Sequence, residues 1–220
     1  MAESYPQRPF SRPPDAKEVI LVRHGASADA VPGEPFELIK GRSDPPLSSE
    51  GEGQAEALAD RLAREPIAAL FVTPLQRTAL TAAPLADRLG LRPTPVPQLS
   101  EVRLGELEGG EFRIRVARGD PVIRRLFDEE RWDVIPGAER MEDFGARVRE
   151  GLERVVAAIG PGAVGVAVVH GGVIAELCRQ VTGSRPFAFI GVDNTSITRL
   201  VRLGDGRWLL RRFNDTAHLG

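Results

Sequence analysis

The sequence predicts an α/β fold, a three-layer sandwich with a mostly parallel central sheet flanked by helices. Three observations carry this expectation. Short β-branched runs, Val19-Ile20-Leu21-Val22 and Val164 to Val169, lead into glycine turns, as strands buried on both faces do. Strand-like and helix-like patterns then alternate along the chain, which favours parallel pairing. The tail, Ser196 to Leu203 and Arg207 to Phe213 around Gly204-Asp205-Gly206, reads as a hairpin at the sheet edge.

Residues 1–16 are proline-rich and polar and predict a loose N-terminal arm, with 17–220 forming a single domain. The first strand is expected over 18–23. A loop over 26–47, punctuated by Pro32, Gly33, Pro35, Gly41, Pro45 and Pro46, follows it. Loops of that length in compact domains are usually functional. Ser49 with Glu52 forms a capping box, and Ala55, Leu58, Ala59 and Leu62 recur at helical spacing, so a helix is expected near 50–64. Ala68 to Val72 reads as the second strand. Thr73-Pro74 places a capping residue before a proline at the first helical position, which opens a helix over 75–89. A short extended segment, Leu91 to Pro97, precedes the glycine-rich stretch Glu101 to Gly110, and 113–130 reads as one charged helix. Met141, Phe144, Val148, Leu152, Val155 and Ile159 mark a long amphipathic helix that leads into the strand at 164–169.

With 220 residues and 42% hydrophobic content, the chain can bury a sizeable single core. Its one cysteine, Cys178, lies among Val173, Ile174, Leu177 and Val181 at helical spacing, so burial suits it, and no internal disulfide can form. A reducing compartment is implied. The N-terminus has no apolar signal region and no stretch reaches transmembrane length, so a cytoplasmic location is expected. A net charge of −2 gives no reason to expect nucleic acid or membrane as the main partner, and the sequence says nothing of oligomeric state. Among 29 cationic residues, lysine occurs only as Lys17 and Lys40. A coding bias explains most of the arginines but not one set directly against a strand-end histidine.

That arginine is Arg23, beside His24. Two of the three histidines, His24 and His170, stand where a buried strand ends and the chain turns over the sheet. In open α/β sheets that rim binds ligands. Arg77, in the first turn of a helix that starts at another strand's end, belongs to the same rim, where the positive end of the helix favours an anion. Arginine forks and the backbone N–H groups near Gly25 and Gly171 suit phosphoryl oxygens. A neutral imidazole attacks phosphorus competently, and a carboxylic acid from the Glu101 segment can protonate the leaving oxygen. No G-x-S-x-G motif and no P-loop occurs. Zinc-type spacings such as H-x-x-x-H or C-x-x-C are also missing, and the arginines repel a dication, so no metal and no cofactor is expected.

Leu21-Val22-Arg23-His24-Gly25 resembles the signature of the histidine phosphatase superfamily, the phosphoglycerate-mutase-like proteins. The resemblance continues through Gly41-Arg42-Ser43-Asp44-Pro45-Pro46-Leu47-Ser48-Ser49-Glu50-Gly51, Thr73-Pro74-Leu75-Gln76-Arg77-Thr78, Leu99 to Gly109, Pro136-Gly137-Ala138-Glu139 and Val169-His170-Gly171-Gly172, in the family's order. It implies a phosphoglycerate-mutase-like fold, with His24 as the nucleophile that becomes phosphohistidine. Arg23, Arg77 and His170, with the Gly171 N–H, then form the phosphate pocket. The spacing to Gly105 and Gly109 matches Glu101 to the family's general acid, with Glu106 and Glu108 as neighbouring rivals. Ser27 and Arg42 are candidates to reach the rest of the substrate; an exposed structural role is the alternative for Arg42.

Departures from the family's mutases bear on the reaction. This chain has Ala30 where they carry asparagine, Glu111-Phe112 where they carry Asn-Lys, and Leu104 where they carry tyrosine, and it lacks their longer cap. Groups that retain a phosphoglycerate while its phosphate moves are therefore missing, and water becomes the expected acceptor. The expected function is metal-independent hydrolysis of a small phosphorylated metabolite. The alternatives are a cofactor-dependent phosphoglycerate mutase and a non-catalytic sensor of a phosphate ligand. Phe36, Phe112 and Trp132 supply either an apolar wall to the site or core packing.

Overall fold

The order of the sheet explains why two histidines far apart in the chain meet. In the computed structural model, which describes residues 3–220, six strands form one sheet in the order β5-β4-β6-β1-β7-β8. These are β1 (Lys17–Arg23), β4 (Ile67–Val72), β5 (Thr94–Pro95), β6 (Val164–Val169), β7 (Ile197–Arg202) and β8 (Trp208–Asp215). The pairs β1–β6, β6–β4 and β4–β5 are parallel, whereas β1–β7 and β7–β8 are antiparallel, so the tail forms the expected edge hairpin. Arg23 lies opposite Val169, and His24 N donates to Val169 O at 3.0 Å. The residues that follow the two strands therefore emerge at one level of the sheet.

Alternation along the strands divides the core into two layers, because successive side chains point to opposite faces. Ile20, Val22, Val166 and Val168 pack with Leu58 and Leu62 of α1 (Ser49–Leu62) and Leu85 of α2 (Gln76–Leu89). Leu21, Ala167 and Val169 pack on the other face with Phe144 and Val148 of α5 (Met141–Ala158) and Ile174 of α6 (Gly171–Thr182). Each fully buried aliphatic side chain contributes about 1.5–3 kcal/mol, so the sheet's centre is also its most stabilised part. Among the described residues, no helix is long and apolar enough to cross a membrane.

Four local expectations change. The 26–47 stretch holds a small hairpin, β2 (Leu38–Ile39) with β3 (Arg42–Ser43), turned by Lys40 and Gly41 at φ 50° and 74°, as a two-residue turn of this kind requires. The single helix expected over 113–130 is two, α3 (Glu111–Ala117) and α4 (Pro121–Glu129). Gly119 at φ 64° ends the first, and Asp120 caps the second by accepting from Val122 N, with Pro121 supplying the pre-set first turn. Ser48, not Ser49, caps α1, its Oγ accepting from Gly51 N at 3.2 Å. Thr73 is not the cap of α2, which begins at Gln76; its hydroxyl is drawn into the site described next. In the N-terminal segment, Arg12 donates to Gly162 O at 2.9 Å, and Arg211 stacks 4.0 Å above the Phe10 ring.

Candidate active site

His24 follows β1 in a turn that allows no side chain at the next position. A Cβ on Gly25 would lie 2.6 Å from Gly51 O, and one on Gly51 would lie 1.9 Å from Ala26 O, so the start of α1 packs backbone to backbone under the turn. Gly25 N donates to Thr81 Oγ1 and Ala26 N to Gln54 Oε1, both at 2.9 Å. The imidazole is thereby fixed. Its Nε2 accepts from Arg77 Nε at 3.1 Å, and a guanidinium can only donate, so the ring proton sits on Nδ1 and bonds to Gly25 O at 2.8 Å. Burial, with Arg77 and Arg23 adding their charge, holds the His24 pKa well below its ordinary value. The ring is neutral at physiological pH, with the lone pair on Nε2.

Arg77 ties the site together. Besides His24, it donates to Ser43 O at 2.8 Å and to His170 Nδ1 at 3.2 Å, and Asp44 lies 3.7 Å from it. Burial lowers its pKa to about 10, which leaves it charged at neutral pH. His170 is fully buried, and because its Nδ1 accepts from Arg77, its Nε2–H donates to Thr73 Oγ1 at 3.0 Å. Thr78 supports Thr73 in turn, 3.1 Å away. Burial first, then Arg77, keeps the His170 pKa well below the usual value. The two rings meet edge to face with centroids 5.3 Å apart. Arg23 donates through Nη1 to Val192 O, and its buried Nε has no hydrogen-bond partner among the described residues. A Cβ on Gly171 would come within 3.5 Å of that nitrogen, so the first turn of α6 lies against the guanidinium.

The acid segment is clamped from two sides. Glu101 accepts from Val102 N at 3.0 Å and from Gly172 N at 3.1 Å; a Cβ on Gly172 would lie 2.6 Å from its carboxylate. Arg42 Nε and Arg147 Nη2 both donate to the Glu101 carbonyl, at 2.6 and 2.9 Å. Arg147 also binds the carbonyls of Gln98 and Ser100, each at 2.7 Å, and makes a two-pronged pair with buried Glu139 at 2.6 and 2.8 Å. Burial opposes ionisation of Glu139, but the Arg147 hydrogen bonds outweigh it and hold the carboxyl below its usual range. Glu106 is exposed and Glu108 is engaged, accepting from Leu104 N at 2.8 Å, from Ser43 N at 2.7 Å and from the Ser43 hydroxyl.

Arg23, His24, Arg77, Glu101 and Arg42 line one cleft of about 220 Å³. Phe36, Leu104, Leu107, Phe112 and Trp132 complete its walls, so the three aromatic residues border the site, with Trp132 also part of the core. His170 and Gly171 stand behind the arginines rather than on the cleft surface. Ser27 does not border the cleft either, because its Oγ accepts from Arg113 Nη2 at 2.6 Å, and Arg113 takes the lining position instead. Arg113, Ser43, Thr73, Glu139 and Arg147 carry the geometry without having been singled out as site residues from the sequence. Ser43, Thr73 and Glu139 lie inside the motifs that carry the family resemblance, whereas Arg113 and Arg147 lie outside them.

This arrangement, a neutral histidine among arginines at the strand ends of an α/β sandwich, suits the binding of a phosphoryl group. The chain belongs to branch 1 of the histidine phosphatase superfamily, whose family model matches residues 19–216. Among its relatives, the probable phosphoglycerate mutase GpmB of Yersinia enterocolitica is 29% identical over 209 residues, covering 92% of this chain and 94% of its own. A mycobacterial glucosyl-3-phosphoglycerate phosphatase, solved with VO3, is 28% identical with a TM-score of 0.73, covering 94% of this chain and 100% of that one. Bacillus stearothermophilus YhfR, 23% identical with a TM-score of 0.77, shares the fold over 93% of this chain and 100% of its own.

Proposed function

We propose that the protein is a phosphomonoester hydrolase that works without a metal, through a phosphohistidine on His24. Arg23 and Arg77 hold the phosphoryl oxygens near the start of α6, where negative charge is favoured, and His170 behind them accepts from Arg77 and keeps its guanidinium in place. His24 Nε2 attacks phosphorus, the ester P–O bond breaks, and the leaving oxygen takes the proton of Glu101. Glu101, now a carboxylate, removes a proton from water as the water oxygen attacks the phosphohistidine. The P–N bond breaks, which releases inorganic phosphate and restores both residues.

The observation that carries this reading is the His24 tautomer. With the proton held on Nδ1 by Gly25 O, the Nε2 lone pair is presented beside Arg77 in a cleft shared with Glu101. The mutase reading draws support from the GpmB relatives. Hydrolysis is favoured because Leu104 and Phe112, two of the departures from the mutase pattern, both face the cleft. The mycobacterial phosphatase relative points the same way.

The test is a panel of phosphorylated metabolites with EDTA present, followed by rapid quench. Hydrolysis should be accompanied by acid-labile, base-stable phosphate on the wild-type protein. His24→Ala should remove both turnover and label, and near wild-type turnover by that variant would overturn the mechanism. Phosphate exchange on 3-phosphoglycerate that requires bisphosphoglycerate would establish the mutase instead. Binding of phosphate with no phosphohistidine and no turnover would establish a sensor.

A further inference from the structure

The part of the cleft that does not meet the phosphoryl group is walled mostly by apolar side chains, and several of its polar groups bond within the protein. Glu108 is filled by Leu104 N and by both donors of Ser43. The Ser43 hydroxyl donates to Glu108 and accepts from Gly109 N at 2.7 Å. Arg42 Nε serves the Glu101 carbonyl and its Nη2 lies 3.5 Å from Glu139, while Arg113 donates through Nη1 to Ala28 O and through Nη2 to Ser27 Oγ. Between these groups stand the Phe36 and Phe112 rings, Leu104, Leu107 and the Trp132 indole.

The wall is built into the backbone. Gly110, at φ 102°, lets the Phe36 ring lie where a Cβ would come within 3.2 Å of it, and Phe36 N donates to Gly109 O at 3.0 Å. On the opposite element, Phe112 stacks on Trp132 with centroids 6.0 Å apart, and Trp132 rests on Phe187 at 5.0 Å. A hydroxyl-rich alcohol set against these rings loses water to carbon that offers it no partner, whereas an apolar group gains by leaving water.

We propose that this cleft selects phosphomonoesters whose alcohol carries a compact apolar group, a single ring or a short alkyl chain, over esters of small polyols. The Phe36 and Phe112 rings are its specificity-determining side chains. The inference rests on the proposed phosphatase site only for where the phosphoryl group sits, so binding and turnover test it separately.

Titration calorimetry with benzylphosphonate and 2-hydroxyethylphosphonate, neither of which can be hydrolysed at a C–P bond, reads the selection directly. Benzylphosphonate should bind at least about tenfold more tightly, the scale of discrimination a hydrophobic pocket provides. n-Pentylphosphonate separates ring from chain recognition within the same apolar class. Phe36→Ala and Phe112→Ala should collapse the ratio, and Phe36→Leu, which keeps an apolar wall if alanine disturbs folding, should retain most of it. Equal affinities in the wild-type protein, or tighter binding of the hydroxylated ligand, would overturn the proposal. Turnover of 2-phenylethyl phosphate against glycerol 1-phosphate, two alkoxide leaving groups of similar basicity, should show the same preference. Selective binding with no hydrolysis of either ester would leave the selectivity standing and remove the hydrolase reading.

Discussion

Arg77 bridges both histidines and the β3 carbonyl with separate nitrogens, a geometry only a guanidinium provides. Arg77→Lys keeps the charge but cannot make the three bonds, and kcat/KM should fall by about 10²- to 10³-fold, the usual loss when a transition-state donor is removed. Steady-state kinetics on a hydrolysed ester checks this, and an unchanged value would move Arg77 out of the mechanism. Glu101→Gln should slow alkyl phosphates by roughly 10²- to 10⁴-fold. Activated aryl phosphates should lose less in the burst phase, because their leaving groups need little protonation. If Glu108→Gln produced that leaving-group dependence instead, the acid would be misassigned. The residues legible in the sequence were those whose chemistry is local: a histidine after a strand, an arginine at a helix start. Arg147 and Glu139 were not, because their work lies in bonds to carbonyls and to each other across separate elements, which no spacing announces.

At the level of elements, α1 is both a core helix and the bed of the turn that carries His24. The two glycines within it make opposite predictions. Gly51→Ala places a Cβ 1.9 Å from Ala26 O, so the helix must move off the turn; stability should drop by about 1–3 kcal/mol and turnover should drop with it. Gly53, two residues on, is exposed with nothing within 4 Å of its Cβ position, and Gly53→Ala should stabilise the protein by up to about 1 kcal/mol with activity kept. Chemical denaturation and kinetics on the pair decide it, and equal behaviour of the two variants would contradict the packing argument. Strands, helices and the edge hairpin were readable because their periodicity reports burial. Cap positions were less so. Ser48 and Ser49 are chemically equal candidates, and which one caps depends on where the turn from Ala26 holds the helix, Ser48 N bonding to Ala26 O at 3.0 Å. The charged pattern over 113–130 reads as continuous, but Gly119 at φ 64° and Pro121 in a new first turn divide it.

For the whole molecule, two buried neutral histidines make stability depend on pH. Both have folded-state pKa values held well below the usual figure near 6.5, by burial first and arginine charge second. Below pH ~6.5 the unfolded chain therefore binds protons that the folded one refuses. Their contribution to stability is complete above that pH and declines as the pH falls toward the folded values, by at most about 1.4 kcal/mol per unit for each histidine. Denaturation midpoints at pH 7, 6 and 5 should decrease in that order, and His170→Gln should flatten the dependence. An identical slope in that variant would remove His170 from the pH dependence.

The pairing of β1 with β6 has a consequence for how the protein is made. Synthesis runs from the N-terminus, so His24 and Arg77 leave the ribosome long before the strand that carries Val169 and the histidine after it. The emerging chain carries His24 and Arg77 before the strand that stands between β1 and β4 has been made. The proposed phosphate site is thus complete only once β6, made after both of its neighbours, stands between β1 and β4.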